Sequence, residues 1–172
     1  MNWFMLTVVG EDRPGIVAQL TAALYQGGCN LGEAAMARLG GNFSVMLMVQ
    51  HTGTLERLLA LVDPVAQKLG LHVHGDRIEG HLHRHLIPDV RVTVYGADRS
   101  GIVAQVTGVL AAVGCNILDL QSDVGGSEAR PMYVMTLEGQ TGNGIEALEA
   151  ALAPLGRDDI EIEVQPIETL IG

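Results

Sequence analysis

Positive charge, cysteine and long apolar runs are all scarce in this 172-residue chain, and each scarcity closes off a class of function. Ten Lys and Arg stand against twenty Asp and Glu, a formal charge of −10, which repels a phosphate backbone instead of releasing its counterions. Direct nucleic-acid binding is not expected. The two cysteines, Cys29 and Cys115, occupy matching places in two similar segments, so each is expected to fill its own core, and two reduced thiols suit the cytoplasm. No positively charged start with a following apolar stretch is present, and no apolar run reaches about 18 residues. Neither secretion nor a membrane span is expected. Charged residues make up only 17% of the chain and apolar residues 48%, which leaves ample material to bury and no compositional sign of a long disordered region.

Signatures of catalysis are missing as well. Gly10 to Gly15 has the glycine spacing that opens a P-loop, but that loop needs Lys and then Ser or Thr directly after its second glycine. Ile16 and Val17 stand there, and Ile102 and Val103 stand at the same place in a second such loop. Nothing would neutralise a β or γ phosphate. There is no HExxH, no nucleotide fingerprint and no Ser, His, Asp set with a nucleophile elbow. The chain therefore reads as non-enzymatic, with no cofactor.

What is present is a repeat. Gly10 to Asn30 reads GEDRPGIVAQLTAALYQGGCN and Gly96 to Asn116 reads GADRSGIVAQVTGVLAAVGCN, an offset of 86 residues. Further on, the segments at Gln50 and Gln140 match at an offset of 90, which predicts a longer second hairpin around Gly125, Gly126 and Ser127. Internal similarity of this kind governs the fold and is read before any local motif.

Trp3 to Val9 and Val90 to Tyr95 are rich in β-branched and aromatic residues and run into a glycine, as a strand entering a turn does. A helix follows in each copy, with apolar stripes at Ile16, Val17, Leu20, Leu24 and at Ile102, Val103, Val106, Leu110, Val113. Two strands and a hairpin come next, about Asn30 to Leu39 with Phe43 to Gln50, and about Asn116 to Val124 with Met132 to Glu138. Gly40, Gly41 and Asn42 make the first turn. Second helices run from near Thr54 to Leu69 and from near Asn143 to Leu155, each with a late proline that ends or kinks it. A closing strand includes Leu71 and Val73 in one copy and Ile160, Ile162 and Val164 in the other. The order β, α, β, β, α, β places both crossovers on one sheet face, because such connections are right-handed. The other face is left bare, and the methionines Met46 and Met48 point to it, so cover by the other copy or in a homodimer is expected.

The segment Gly-x-Asp-Arg-Pro-Gly-Ile-Val, with Gly-Cys-Asn at the next strand, resembles the ACT domain, a ferredoxin-like amino-acid-sensing module, and it occurs twice. The resemblance implies an α+β fold of two tandem ferredoxin-like βαββαβ domains, each a four-stranded antiparallel sheet with two helices on one face. The first would span residues 1–80, a histidine-bearing linker 81–88 and the second 89–172. A stand-alone tandem of this length resembles the glycine cleavage system transcriptional repressor family. Its first motif is also similar to the front part of formyltetrahydrofolate deformylase, whose catalytic domain has no room here.

That resemblance implies a regulator that senses a small amino acid, glycine among them, and acts through a protein partner such as a DNA-binding activator. It places ligands at Asp12, Arg13, Gly15 and Asn30 in the first copy and at Asp98, Arg99, Gly101 and Asn116 in the second. Backbone N–H groups at the helix start would receive a carboxylate, and the aspartates an ammonium. A plainer reading stands beside it: the aspartates favour the positive helix end, the glycines make the turn, the asparagines tie loop to strand, and the chain is an assembly module without a ligand. Ser100 replaces the proline in the second copy. His72, His74, His81, His83 and His85 alternate along an extended segment, but no Cys or carboxylate has a recognised metal spacing with them, so no metal is expected.

Overall fold

The computed structural model describes residues 1–79, 86–97, 101–127, 130–156 and 159–167. The chain divides into two compact units, Met1–His83 and Arg84–Gly172. In the first, β1 (Asn2–Glu11), α1 (Ile16–Gln26), β2 (Asn30–Leu39), β3 (Asn42–His51), α2 (Leu55–Leu69) and β4 (His72–Arg77) build an antiparallel sheet in the order β2-β3-β1-β4. In the second, β5 (Val90–Ala97), α3 (Ile102–Ala112), β6 (Asn116–Ser127), β7 (Arg130–Gln140), α4 (Ile145–Leu152) and β8 (Ile160–Pro166) repeat it as β6-β7-β5-β8. The fold is α+β, two tandem ferredoxin-like βαββαβ modules.

Alternation decides which side of each sheet is core. Phe4, Leu6 and Val8 are buried while Met5, Thr7 and Val9 between them are not, and Phe43, Val45, Leu47 and Val49 repeat the pattern on the neighbouring strand. These residues pack with Ile16, Leu20 and Leu24 of α1 and Leu58, Val62 and Ala66 of α2 in one cluster. Val90, Val92 and Val94 meet Ile102, Val106, Leu110, Leu148 and Leu152 in the other. Each large side chain so buried contributes about 1.5–3 kcal/mol. The helical stripes are narrower than the residue pattern predicts: Val17 and Val103 are exposed, because each lies roughly 100° around the helix from the isoleucine before it.

Local sequence explains the connections. Gly40 and Gly41, at φ 56° and 78°, form a two-residue turn closed by the Leu39–Asn42 pair, the left-handed geometry that suits a tight hairpin. The second hairpin is longer than the first, as the change of offset predicts, and the added length at Gly125 to Ser127 is strand rather than loop. Those residues continue the ladder, opposite Met132, Pro131 and Arg130, so the additional residues lengthen the two strands. The late prolines also part ways. Pro64 sits inside α2, which runs on to bury Ala66 and end at Gly70; near Pro154, α4 gives way to a 3₁₀ turn, Ala153–Leu155, with no apolar residue buried in it.

The helix-free faces of the two sheets differ in chemistry. On the first sheet, Met5 pairs with Met48 and Thr7 with Met46. At the matching ladder positions of the second, Arg91 pairs with Glu138 and Thr93 with Thr136. The first face carries methionines at its centre with His74 and Asp76 beside them on β4, and the second carries an ion pair and two threonines at the matching places.

Candidate functional site

The repeated Gly-x-Asp-Arg-x-Gly segment joins β1 to α1. Gly10 is there because β4 begins against it: a Cβ at this position would lie 2.6 Å from Leu71 Cδ2. Gly96 is tighter still, since a Cβ would lie 2.7 Å from the Asp159 carbonyl oxygen. The second glycine of each motif serves the helix entry. Gly15 and Gly101 stand at the N-caps with φ 85° and 91°, a left-handed conformation that side chains with a Cβ resist.

Neither N-cap, a glycine in each case, supplies a side-chain cap, and the first amide groups of α1 and α3, as at any helix start, have no acceptor within the helix and lie at the positive end of its dipole. The Asp12 amide donates to the Gly41 carbonyl at 2.9 Å, tying the loop to the β2–β3 hairpin. The Asp12 carboxylate pairs with Arg38 of β2, and Arg13 donates to Glu11 at 2.6 Å. Lys68, from the end of α2, donates to Gln19 on the next turn of α1 at 3.2 Å. Asp12, Arg13 and Gly15 are thus brought together, and two of them already hold partners.

Asn30 is not with them. It starts β2 and pairs with Gln50, where its Nδ2 donates to Oε1 at 3.3 Å. The Gly10–Gly15 loop lies at the other end of the sheet, where Glu11 and Leu39 both flank Asn42. The length of β2 separates them, roughly 30 Å at the rise of a strand. The same topology parts Gly101 from Asn116, which pairs with Gln140 beside the start of β5. Asp98 and Arg99 lie outside the described residues. At the ladder position held by Arg38 in the first unit, opposite Phe43, the second has Val124, opposite Tyr133.

Cys29 and Cys115 are free and buried. Burial pushes both thiols above their usual range, and the nearby Asp89 charge adds to the effect at Cys115. Cys29 Sγ lies 3.5 Å from His51 Nδ1, a pairing that sequence spacing did not reveal; the raised thiol argues against a thiolate nucleophile there. His72 and His74 are exposed, and His74 Nε2 approaches Asp76 at 3.1 Å. Among the described residues no group of three or more His, Cys, Asp or Glu could hold a metal; His81, His83 and His85 lie outside them. No helix among the described residues is long and apolar enough to cross a membrane.

The ACT domain family model matches residues 2–75 and 89–165. The glycine cleavage system transcriptional repressor of Escherichia coli (strain K12) is 26% identical over 122 residues, 70% of this chain and 64% of the repressor. The chain thus spans just under two thirds of the length of that relative. A protein of unknown function from Galdieria sulphuraria matches with a TM-score of 0.75 and 23% identity, over 97% of this chain and 99% of that one. A candidate glycine cleavage system transcriptional repressor of known structure matches with a TM-score of 0.72 and 21% identity, over 98% of both chains. At these identities the two structures establish likeness of fold.

Proposed function

Because the chain belongs to the ACT domain family and carries the domain twice, we propose that it is a non-enzymatic cytoplasmic regulator that senses a small amino acid, glycine first among them, and signals to a protein partner controlling transcription. The observation that carries this reading is the uncapped start of α1 and of α3 behind a left-handed glycine. A free amino acid offers a carboxylate for those amides and an ammonium for the neighbouring acidic side chains.

The separation of Asn30 from the Asp12–Gly15 loop sharpens the proposal. A ligand held by both must lie between two chains aligned in opposite directions, one giving the loop and the other the asparagine. The exposed edge strand β2 supports such a homodimer, since all ten of its residues are exposed, Leu31, Met36 and Leu39 among them, and an uncovered edge invites pairing. Glycine should then raise the melting temperature with its concentration. Asp12→Ala and Asn30→Ala should each abolish the rise, and an equimolar mixture of the two variants should recover part of it. A mixture as unresponsive as either variant alone would argue against a shared site.

A second reading rests on the partners already present. With Asp12 held by Arg38 and both motif glycines required by packing and φ, the loop is also explained as a structural corner of an assembly module. Melting temperatures unmoved by a panel of amino acids would favour it.

A further inference from the structure

Arg38 reaches the Gly-x-Asp-Arg-x-Gly loop of the first module from a different element. It stands across from Phe43 on the edge strand β2, and Phe43 stands across from Gly10. Cross-strand partners share a face, so Arg38 projects on the helix side of the sheet with the buried Phe43, at the end where α1 begins. There its guanidinium meets the Asp12 carboxylate. The two side chains are 67% and 30% exposed, so solvent reaches both, and a pair of this kind adds little to stability. Opening it costs little. Nor does it alone place the loop, since the Asp12 amide is bound separately, to the Gly41 carbonyl at 2.9 Å.

The second module has the same motif without this cation. Gly96 stands across from Tyr133 and Tyr133 from Val124, so Val124 holds the rung that Arg38 holds in the first module. No basic residue occurs anywhere along β6, which carries Asp119 and Asp123 instead. A glycine N-cap with a left-handed φ and no side-chain cap begins the helix in both modules. The arginine on the edge strand is what differs. A carboxylate arriving at the two helix starts meets a guanidinium from the sheet at the first and an apolar side chain at the second.

Resting on the amino-acid site of the proposed function, we propose that Arg38 is its specificity-determining residue: Asp12 and Arg38 part to admit one zwitterion, the guanidinium taking its carboxylate in a bidentate pair and Asp12 taking its ammonium. One ion pair is exchanged for two. The ligand class follows from that balance of charge. A simple carboxylate occupies Arg38 and leaves the Asp12 charge without a partner, whereas a simple amine occupies Asp12 and leaves Arg38 without one. A free α-amino acid, with both charges on neighbouring atoms of one carbon, satisfies the two side chains together. The site is thereby narrowed to the first module, and the second, with Val124 in place of the arginine, does not take the ligand.

Calorimetric titration of the full chain with a panel of free α-amino acids, glycine first, tests it. The expected result is one ligand per chain, with acetate and glycinamide, which each lack one of the two charges of glycine, binding at least about tenfold more weakly. Arg38→Ala should weaken glycine at least about tenfold and leave glycinamide as it was or tighter, because Asp12 is then free for its ammonium. Loss of a merely structural contact would weaken both alike. Arg38→Lys keeps the charge without the fork and should fall between the two; it remains informative if circular dichroism shows that Arg38→Ala does not fold. Amino-acid binding unchanged in Arg38→Ala, equal loss of glycine and glycinamide, or two ligands per chain would overturn the role of Arg38 and leave the sensor standing. Failure of every amino acid on the panel to bind the parent chain would overturn the sensor itself, and this inference with it.

Discussion

Gly10 and Gly96 occupy the same place in the repeat, yet they do not tolerate a methyl group equally. At Gly10 the obstacle is the end of the Leu71 side chain, which can rotate; at Gly96 it is the Asp159 carbonyl oxygen, which belongs to the backbone. Gly96→Ala should therefore cost about 3 kcal/mol and Gly10→Ala about 1 kcal/mol, the upper and lower ends of overpacking penalties, as read by urea unfolding. The buried thiols set a second expectation at this scale. Burial raises both Cys29 and Cys115 above the ordinary 9.0, so the native state favours the neutral thiol. Below pH 9 native and unfolded chains are both protonated, and the contribution is fully present. Above it the unfolded chain ionises first, and stability is lost as pH rises through the native values. The urea midpoint should fall above about pH 9, and Cys29→Ala with Cys115→Ala should flatten that fall. A wild-type midpoint as flat as the variant's would contradict the raised thiols.

Elements of the two modules follow one plan but differ in their ends. Thr54 caps α2, its Oγ1 accepting from the Arg57 amide at 3.4 Å, and the helix runs fifteen residues to Gly70. Gly144 stands at the start of α4 with φ 89° and no side-chain cap, and that helix is eight residues long. Thr54→Ala should lower stability by about 1 kcal/mol, while Gly144→Ser should not gain a comparable amount, because the left-handed φ penalises any Cβ there. Thermal unfolding of the two variants checks the contrast. Alternation and glycine placement made the element order legible before any coordinates, and Asn30–Leu39 was bounded correctly from its residues alone. Less legible was whatever depends on register. The change of offset predicts a longer hairpin around Gly125 to Ser127, but only their ladder partners show that these residues extend the strands. The resemblance assigns the loop and Asn30 to one site, and only the register shows that a strand's length separates them within one chain. The polar face also hid in plain view: Arg91, Thr93 and Tyr95 alternate with the core valines, but only cross-strand pairing gathers them with Glu138 and Glu163.

At the scale of the whole molecule, charge constrains how a signal leaves it. A formal charge of −10 opposes the phosphate backbone whose neutralisation supplies most non-specific affinity for DNA. The described helices are spent on the two cores, since α1, α2, α3 and α4 each bury their apolar stripe against a sheet. None of them presents a cluster of lysine and arginine to enter a groove: α1 and α3 contain no basic residue, and neither does α4. On the proposed function, control of transcription would run through another protein that reads DNA. An amino acid would then alter that hold only to the extent that it binds one conformation of this chain in preference to another. Purified alone and mixed with operator DNA at low salt, where phosphate attraction is strongest, the protein should produce no shift in a gel. Adding the DNA-binding partner should produce one, and glycine should change its midpoint. A tight, sequence-selective complex formed by this chain alone would show instead that the acidic surface conceals a reader, and the assignment of a protein partner would fall with it.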